Sequence, residues 1–104
     1  MRILVLGGAG AMGMVTVRDL AESPEVSEVI IGDVNMEKAR KVAEWAGKEK
    51  ISIRKVDISS MESLIPAMKD ADAVANAAPY HLNLTVTKAS IKAKKNLTDL
   101  GGVY

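Results

Sequence analysis

Met1-Arg2-Ile3-Leu4-Val5-Leu6-Gly7-Gly8-Ala9-Gly10-Ala11-Met12-Gly13 sets an apolar run directly against a glycine-rich turn. Ile3 to Leu6 is the continuous apolar run that a parallel strand covered on both faces requires, and Gly7 ends it sharply. Gly8, Gly10 and Gly13 then fit G-x-G-x-x-G, and a helical pattern opens at Ala11. Strand, glycine turn and helix in that order are the context that gives the motif its meaning as a nucleotide site. Each glycine has its own expected task. Gly8 turns the chain, Gly10 lets the backbone approach a pyrophosphate with no Cβ in the way, and Gly13 lets the helix lie against the strand. The backbone N–H groups of the first helical turn, at Ala11, Met12 and Gly13, then face the anion. The aligned peptide dipoles there add on the order of 0.3–1 kcal/mol of attraction. The competing interpretation is an ordinary βα turn that happens to be rich in glycine.

An acid stands at the expected distance. Asp33 closes the apolar run Val29-Ile30-Ile31-Gly32, twenty residues beyond Gly13. A carboxylate at the end of a second strand can accept hydrogen bonds from both hydroxyls of an adenosine ribose. It also repels a 2′-phosphate, because two anions at hydrogen-bonding distance in a partly dehydrated cleft need a nearby cation to balance them. NAD is therefore expected over NADP. The alternative is that Asp33 or Asn35 only caps the following helix, a task these short polar side chains perform well. Arg40 and Lys41 lie two turns into that helix, too far along to count as a phosphate clamp, so use of both cofactors stays open.

One hundred and four residues suit a single domain, which at this size buries about two-thirds of the surface its unfolded chain exposes. Fourteen basic and thirteen acidic residues leave a formal charge of +1, and aromatic content is 3%. That balance argues against a nucleic-acid surface or base-stacking platforms. Lys88, Lys92, Lys94 and Lys95 fall on a helix and its end, where solvated lysines complement the macrodipole. The chain has no cysteine and one histidine, which excludes a thiol nucleophile, a disulfide framework and a Cys/His zinc site. No metal ligation is expected. The four apolar residues after Arg2 are too few for a signal-peptide core and no run approaches the length of a membrane span, so a cytoplasmic protein without membrane contact is expected.

Along the rest of the chain, patterning predicts a helix over 11–22 that Ser23-Pro24 stops and a strand over 26–31. A second helix is predicted over 35–47, where Met36, Ala39, Val42, Ala43 and Ala46 share a face and Gly47 is the natural stop. Ile51 and Ile53 alternate with Ser52 and Arg54 in a third strand over 51–56, whose mixed polarity suits a sheet edge. Ser59 and Glu62 have capping-box spacing, predicting a helix to Asp70 that Pro66 should shorten or kink. A strand over 73–78, a helix over 82–95 with Leu82, Val86, Ala89 and Ala93 on one stripe, and a strand over 96–100 complete the pattern. Strict alternation predicts an α/β fold of the Rossmann type: a doubly wound parallel sheet in order 3-2-1-4-5 with helices on both faces. In such a sheet, ligands bind beyond the carboxyl ends of the strands, where the strand order reverses.

The other strand ends supply the remaining candidates. Asp57 can accept from an adenine amino group while Ile58 covers the ring, or Asp57 can simply hold the turn before Ser59. Asn76-Ala77-Ala78-Pro79 lies at the switch point, where small side chains admit a dinucleotide and Pro79 stiffens the turn. Tyr80 and His81 are the obvious proton-handling side chains there, but position 84 is Leu84, so no Tyr-x-x-x-Lys pair forms. No catalytic residue is assigned.

Taken together, the glycine turn 7–13, Asp33, Val56-Asp57-Ile58, Asn76-Ala77-Ala78-Pro79 and Leu97-Thr98-Asp99-Leu100-Gly101-Gly102 resemble the N-terminal NAD(P)-binding domain of the saccharopine dehydrogenase and lysine 6-dehydrogenase family. The glycine turn is shared by many oxidoreductases, whereas the Asn-Ala-Ala-Pro turn and the Asp-Leu-Gly-Gly ending are more particular to this group. The resemblance implies NAD(P)-dependent oxidation or reduction at an amine carbon. It also implies a C-terminal substrate and dimerising domain that this sequence lacks, so the expectation is a domain that binds NAD(H) but does not turn over an amino acid alone. A homodimer or a separate catalytic domain is the partner expected. Three alternatives remain: a regulatory nucleotide-sensing module of a transport system, the cofactor domain of an extended short-chain dehydrogenase, and an interaction fold that binds no nucleotide. Gly7, Gly10 and Gly13 also satisfy the G-x-x-G-x-x-G of the second of these.

Overall fold

β1 (Arg2–Leu6) is the centre of the molecule, and its side chains alternate between two cores. The computed structural model describes residues 1–47, 49–78 and 82–99. After β1 come α1 (Ala11–Glu22), β2 (Glu28–Asp33), α2 (Met36–Ala46), β3 (Ile51–Lys55), α3 (Met61–Lys69), β4 (Ala73–Asn76), α4 (Asn83–Ala93) and β5 (Asn96–Asp99). The strands form one parallel sheet in the order β3-β2-β1-β4-β5, as the alternation predicts. Leu4 and Leu6 point to one face, joining Ile30, Val56 and Val74 under α3 and α4 through Leu64, Met68, Val86 and Ala89. Ile3 and Val5 point to the other, joining Val29 and Ile31 under α1 and α2 through Val17, Ala21, Ala39 and Val42. A period of two on the strand thus feeds two helical stripes of period 3.6, which fixes which face each helix covers.

Several boundaries differ from the sequence reading. β2 begins at Glu28 rather than at 26, because the Lys50 ammonium donates to the carbonyls of Ser23 (2.8 Å) and Val26 (2.7 Å) and holds that stretch as a loop. It runs on through Gly32, whose missing side chain leaves room for Leu4, Leu6 and Val56. The cap of α3 is Ser60, not Ser59: the Ser60 hydroxyl accepts from the Ser63 amide, while Ser59 turns back onto Asp57. α3 continues past Pro66, since Pro66 and Glu62, whose carbonyl has lost its donor, are both exposed, where water can take its place. β4 stops at Asn76 and α4 at Ala93, the latter through a left-handed Lys94 (φ 58°) whose amide donates to Ile91 and Ser90.

At the amino ends of the strands, Arg2 Nε donates to Glu28 Oε1 (2.6 Å) and the Ser52 hydroxyl donates to Glu28 Oε2 (2.8 Å), tying β1, β2 and β3 together. Arg2, and after it Ser52, hold the Glu28 carboxyl below the usual carboxylate range. A group whose pKa is lower folded than unfolded stabilises fully above its unfolded value and loses that contribution as pH falls through the folded one. Glu28→Gln is therefore expected to make the decline of melting temperature below about pH 4.3 shallower than in the wild type. Parallel acid-side melting profiles for the two proteins would refute this.

Candidate functional site

The strand order reverses between the parallel neighbours β1 and β4, and the turns that follow these two strands press together at their carboxyl ends. Leu6 accepts from the Ala77 amide (2.9 Å), and a Cβ on Gly7 would stand 3.1 Å from Ala77 and Ala78 backbone atoms. Gly7 also carries the turn's positive φ of 72°, so it, rather than Gly8, reverses the chain. Gly8 is required by packing instead: a Cβ there would meet Ile31 Cγ2 at 2.8 Å and the Val5 carbonyl oxygen at 3.2 Å. Gly7 lay outside the G-x-G-x-x-G register, but the overlapping Gly7, Gly10 and Gly13 register contained the signal that finds it.

Gly13 seats α1 on the turn. Its Cα faces the backbone so closely that a Cβ would lie 2.2 Å from the Gly7 carbonyl oxygen and 2.6 Å from Gly8 Cα. Gly10 is different. It has an extended backbone (φ −81°, ψ 173°), and an added Cβ would approach only the Gly7 carbonyl oxygen, at 3.3 Å. Neither backbone strain nor a packed neighbour on the scale of Gly13's accounts for a glycine here. The space its missing side chain leaves open adjoins the amino end of α1.

That helix end has no side-chain cap and no acid in its first turn. Within the turn, the Gly7 amide donates to Gly32, the Gly10 amide to Gly7 and the Met14 amide to Gly10. The Ala9 amide donates to Asp33 Oδ2 (3.3 Å). The donors of Ala11, Met12 and Gly13 are the ones a helix's first turn leaves without an intrahelical acceptor. Met12 is half exposed beside them. An uncapped helix end, its dipole uncompensated, behind a glycine that opens the approach can hold an anion such as a pyrophosphate.

Asp33 lies across from this cradle at the end of β2. Its carboxylate accepts from Ala9 through Oδ2 and from Asn35 through Oδ1 (3.1 Å), while Asn35, not Asp33, caps α2 by accepting from the Lys38 amide (3.0 Å). Val34, next in the chain, is exposed. Asp57 follows β3, and the Asp33 carbonyl accepts from the Val56 amide (3.1 Å), which brings the two strand ends together. Asp57 Oδ1 accepts both the hydroxyl (2.6 Å) and the amide (3.0 Å) of Ser59, and these bonds hold the carboxyl below its usual range. Ile58 is partly buried against the core beneath α3.

Asn76 is almost wholly buried, and its side-chain oxygen accepts from the Ala78 amide (3.0 Å), so this side chain builds the turn after β4. Ala78 is buried and Ala77 half-buried, leaving a small-residue wall beside the glycine turn. Asp99 pairs in register with Asn76 at the end of β5. Pro79, Tyr80, His81 and residues 100–104, including the Gly101-Gly102 pair, lie outside the described residues. Among the described residues, no cluster of three or more His, Cys, Asp or Glu could hold a metal ion, and no helix is long and apolar enough to cross a membrane.

The family model described as the saccharopine dehydrogenase NADP binding domain matches residues 3–104. Among solved structures, apo saccharopine dehydrogenase (L-Glu forming) from Saccharomyces cerevisiae superposes with a TM-score of 0.84 at 20% identity, over 99% of this chain and 22% of that one. Pen from Bacillus thuringiensis superposes with a TM-score of 0.78, also at 20% identity, over 94% of this chain and 36% of that one. The chain thus spans about a fifth to a third of the length of these proteins, and at such identity the likeness establishes the fold.

Proposed function

Given that the chain belongs to the saccharopine dehydrogenase NADP-binding domain family, we propose that it binds a nicotinamide dinucleotide across the β1–β4 switch point and serves an oxidoreductase acting at an amine carbon. Gly10 carries the reading. Its backbone is unstrained, and its lack of a side chain leaves open space beside the uncapped first turn of α1. On this reading the pyrophosphate is held by the first-turn amides at Ala11, Met12 and Gly13, and the adenosine ribose lies toward Asp33. Asp57 and Ile58 flank the adenine, with Ile58 offering an apolar edge and Asp57 Oδ2 an acceptor. Ala77 and Ala78 line the side toward the nicotinamide, with Asn76 holding their turn. The bound dinucleotide would supply hydride transfer; the chain's own residues bind and orient it.

The carboxylate of Asp33 favours NAD over NADP on this reading. Next to it in the chain stand the apolar Val34 and the neutral Asn35, and the cation set against this preference is the exposed Lys55, its register partner on β3. The family description speaks of NADP, which makes the choice worth measuring. Calorimetric titration of the purified chain with NAD, NADH, NADP and NADPH is expected to give binding to all four, tighter for the two without a 2′-phosphate by roughly tenfold or more, about 1.4 kcal/mol. Tighter NADP(H) binding would overturn the Asp33 assignment, and no binding to any of the four by a folded sample would overturn the site. We further place the protein in the cytosol and assign substrate turnover to a partner domain or a second subunit. No steady-state rate with lysine or saccharopine is expected from this chain alone.

A further inference from the structure

Asp33 touches the glycine turn itself. Its Oδ2 accepts from the Ala9 amide, at 3.3 Å, and its Oδ1 accepts from the Asn35 amide, at 3.1 Å, so one carboxylate bridges the tip of the β1–α1 turn and the start of the β2–α2 turn. Those turns belong to different strands, 24 residues apart at the Ala9 bond. The tip it grips sits between Gly8, packed on Ile31, and Gly10, whose amide is committed to Gly7. The Gly7 amide's bond to Gly32 and the packing of Gly8 on Ile31 hold the base of the turn to β2, and the Ala9 bond adds a side-chain contact at its tip.

We propose that Asp33 is a positioning residue for the anion cradle as well as the group that faces the ribose, so that recognition of the ribose and of the pyrophosphate is a single coupled event. This rests on the dinucleotide reading of the site. Each carboxylate oxygen has two acceptor directions, one engaged by a backbone amide and one left for a hydroxyl. Ribose binding then fixes the orientation of the same carboxylate that holds Ala9, and loss of the carboxylate loosens the turn whether or not a ribose is present. If Asp33 served the ribose alone, a probe with phosphates and no sugar would be indifferent to its removal, or would bind more tightly once a nearby negative charge had gone. Coupling reverses that sign.

The test uses inorganic pyrophosphate as the sugar-free probe and proton exchange at the Ala9 amide, followed by NMR, on the wild type, Asp33→Ala and Asp33→Asn. Asp33→Ala is expected to speed Ala9 exchange at least tenfold while the Val5 and Ile31 amides in the core hold their rates, and to weaken pyrophosphate binding about threefold or more. Asp33→Asn keeps one acceptor oxygen and is expected to fall between, which also covers the case in which the alanine variant folds poorly. Unchanged Ala9 exchange, or pyrophosphate binding as tight as or tighter than the wild type's, would overturn the coupling. A folded wild type that binds neither NAD nor pyrophosphate would instead overturn the dinucleotide reading, a result separable from the exchange rates.

Discussion

Gly13→Ala is expected to destabilise the protein by about 3 kcal/mol or more and to lower its melting temperature by at least about 12 °C. Two effects oppose each other at this position. Alanine is the better helix former by about 1 kcal/mol, so in an open helix the change would stabilise. Here the new Cβ would lie 2.2 Å from the Gly7 carbonyl oxygen, 2.6 Å from Gly8 Cα and 2.8 Å from the Gly7 carbonyl carbon. All three are backbone atoms and cannot rotate away. Relief requires α1 to lift from the turn, which uncovers Val17 and Ala21, both buried against β1 and β2. Packing therefore outweighs propensity. Urea or thermal unfolding followed by circular dichroism measures the difference, and a variant that melts within a few degrees of the wild type would mean that α1 does not sit on the turn as described.

The sheet was legible because each of its determinants is local. Continuous apolar runs marked β1 and β2, and a polar alternation over Ile51 to Arg54 marked an edge strand, where β3 stands. The parallel sheet followed from the alternation of strands and helices, and the order 3-2-1-4-5 was the one expected of a Rossmann-type nucleotide fold. Ends set by contacts distant in sequence were not legible. The start of β2 depends on a lysine more than twenty residues away, and the end of β4 on the buried Asn76 side chain turning back to Ala78. Choosing between Ser59 and Ser60 as the cap of α3 needed the Asp57 carboxylate, which draws Ser59 away.

For the site, residue types and spacing placed Gly8 to Gly13, Asp33, Asp57 and Asn76 at the carboxyl ends of the strands, where the structure has them. Spacing could not reveal the division of labour among the glycines. Gly7, with its positive φ, makes the turn that was expected of Gly8, and Gly8 instead clears space for Ile31. Nor does spacing reveal that Asp33 grips Ala9 or that Asn76 is committed to its own turn, since both depend on how separate loops meet in space.

Gly10→Ala is the complementary experiment, expected to leave the fold nearly untouched and to weaken dinucleotide binding roughly a hundredfold. The backbone at Gly10 (φ −81°, ψ 173°) is one that alanine adopts freely, so the exchange narrows the unfolded ensemble and on that account stabilises by about 0.4–1 kcal/mol. The single close approach, 3.3 Å to the Gly7 carbonyl oxygen, is relieved by a shift of a few tenths of an ångström, a small cost of opposite sign. Net stability should stay within about 1 kcal/mol of the wild type. The methyl group would instead occupy the space through which a pyrophosphate reaches the first-turn amides. A hydrogen bond to a charged group contributes about 1.5–3 kcal/mol, so holding the anion away from two of them removes about 3 kcal/mol or more, a hundredfold in affinity. Paired melting and NAD titration of Gly10→Ala and Gly13→Ala separate the two kinds of glycine. If Gly10→Ala binds NAD as the wild type does, the cradle lies elsewhere; if it unfolds like Gly13→Ala, Gly10 serves the fold rather than the ligand.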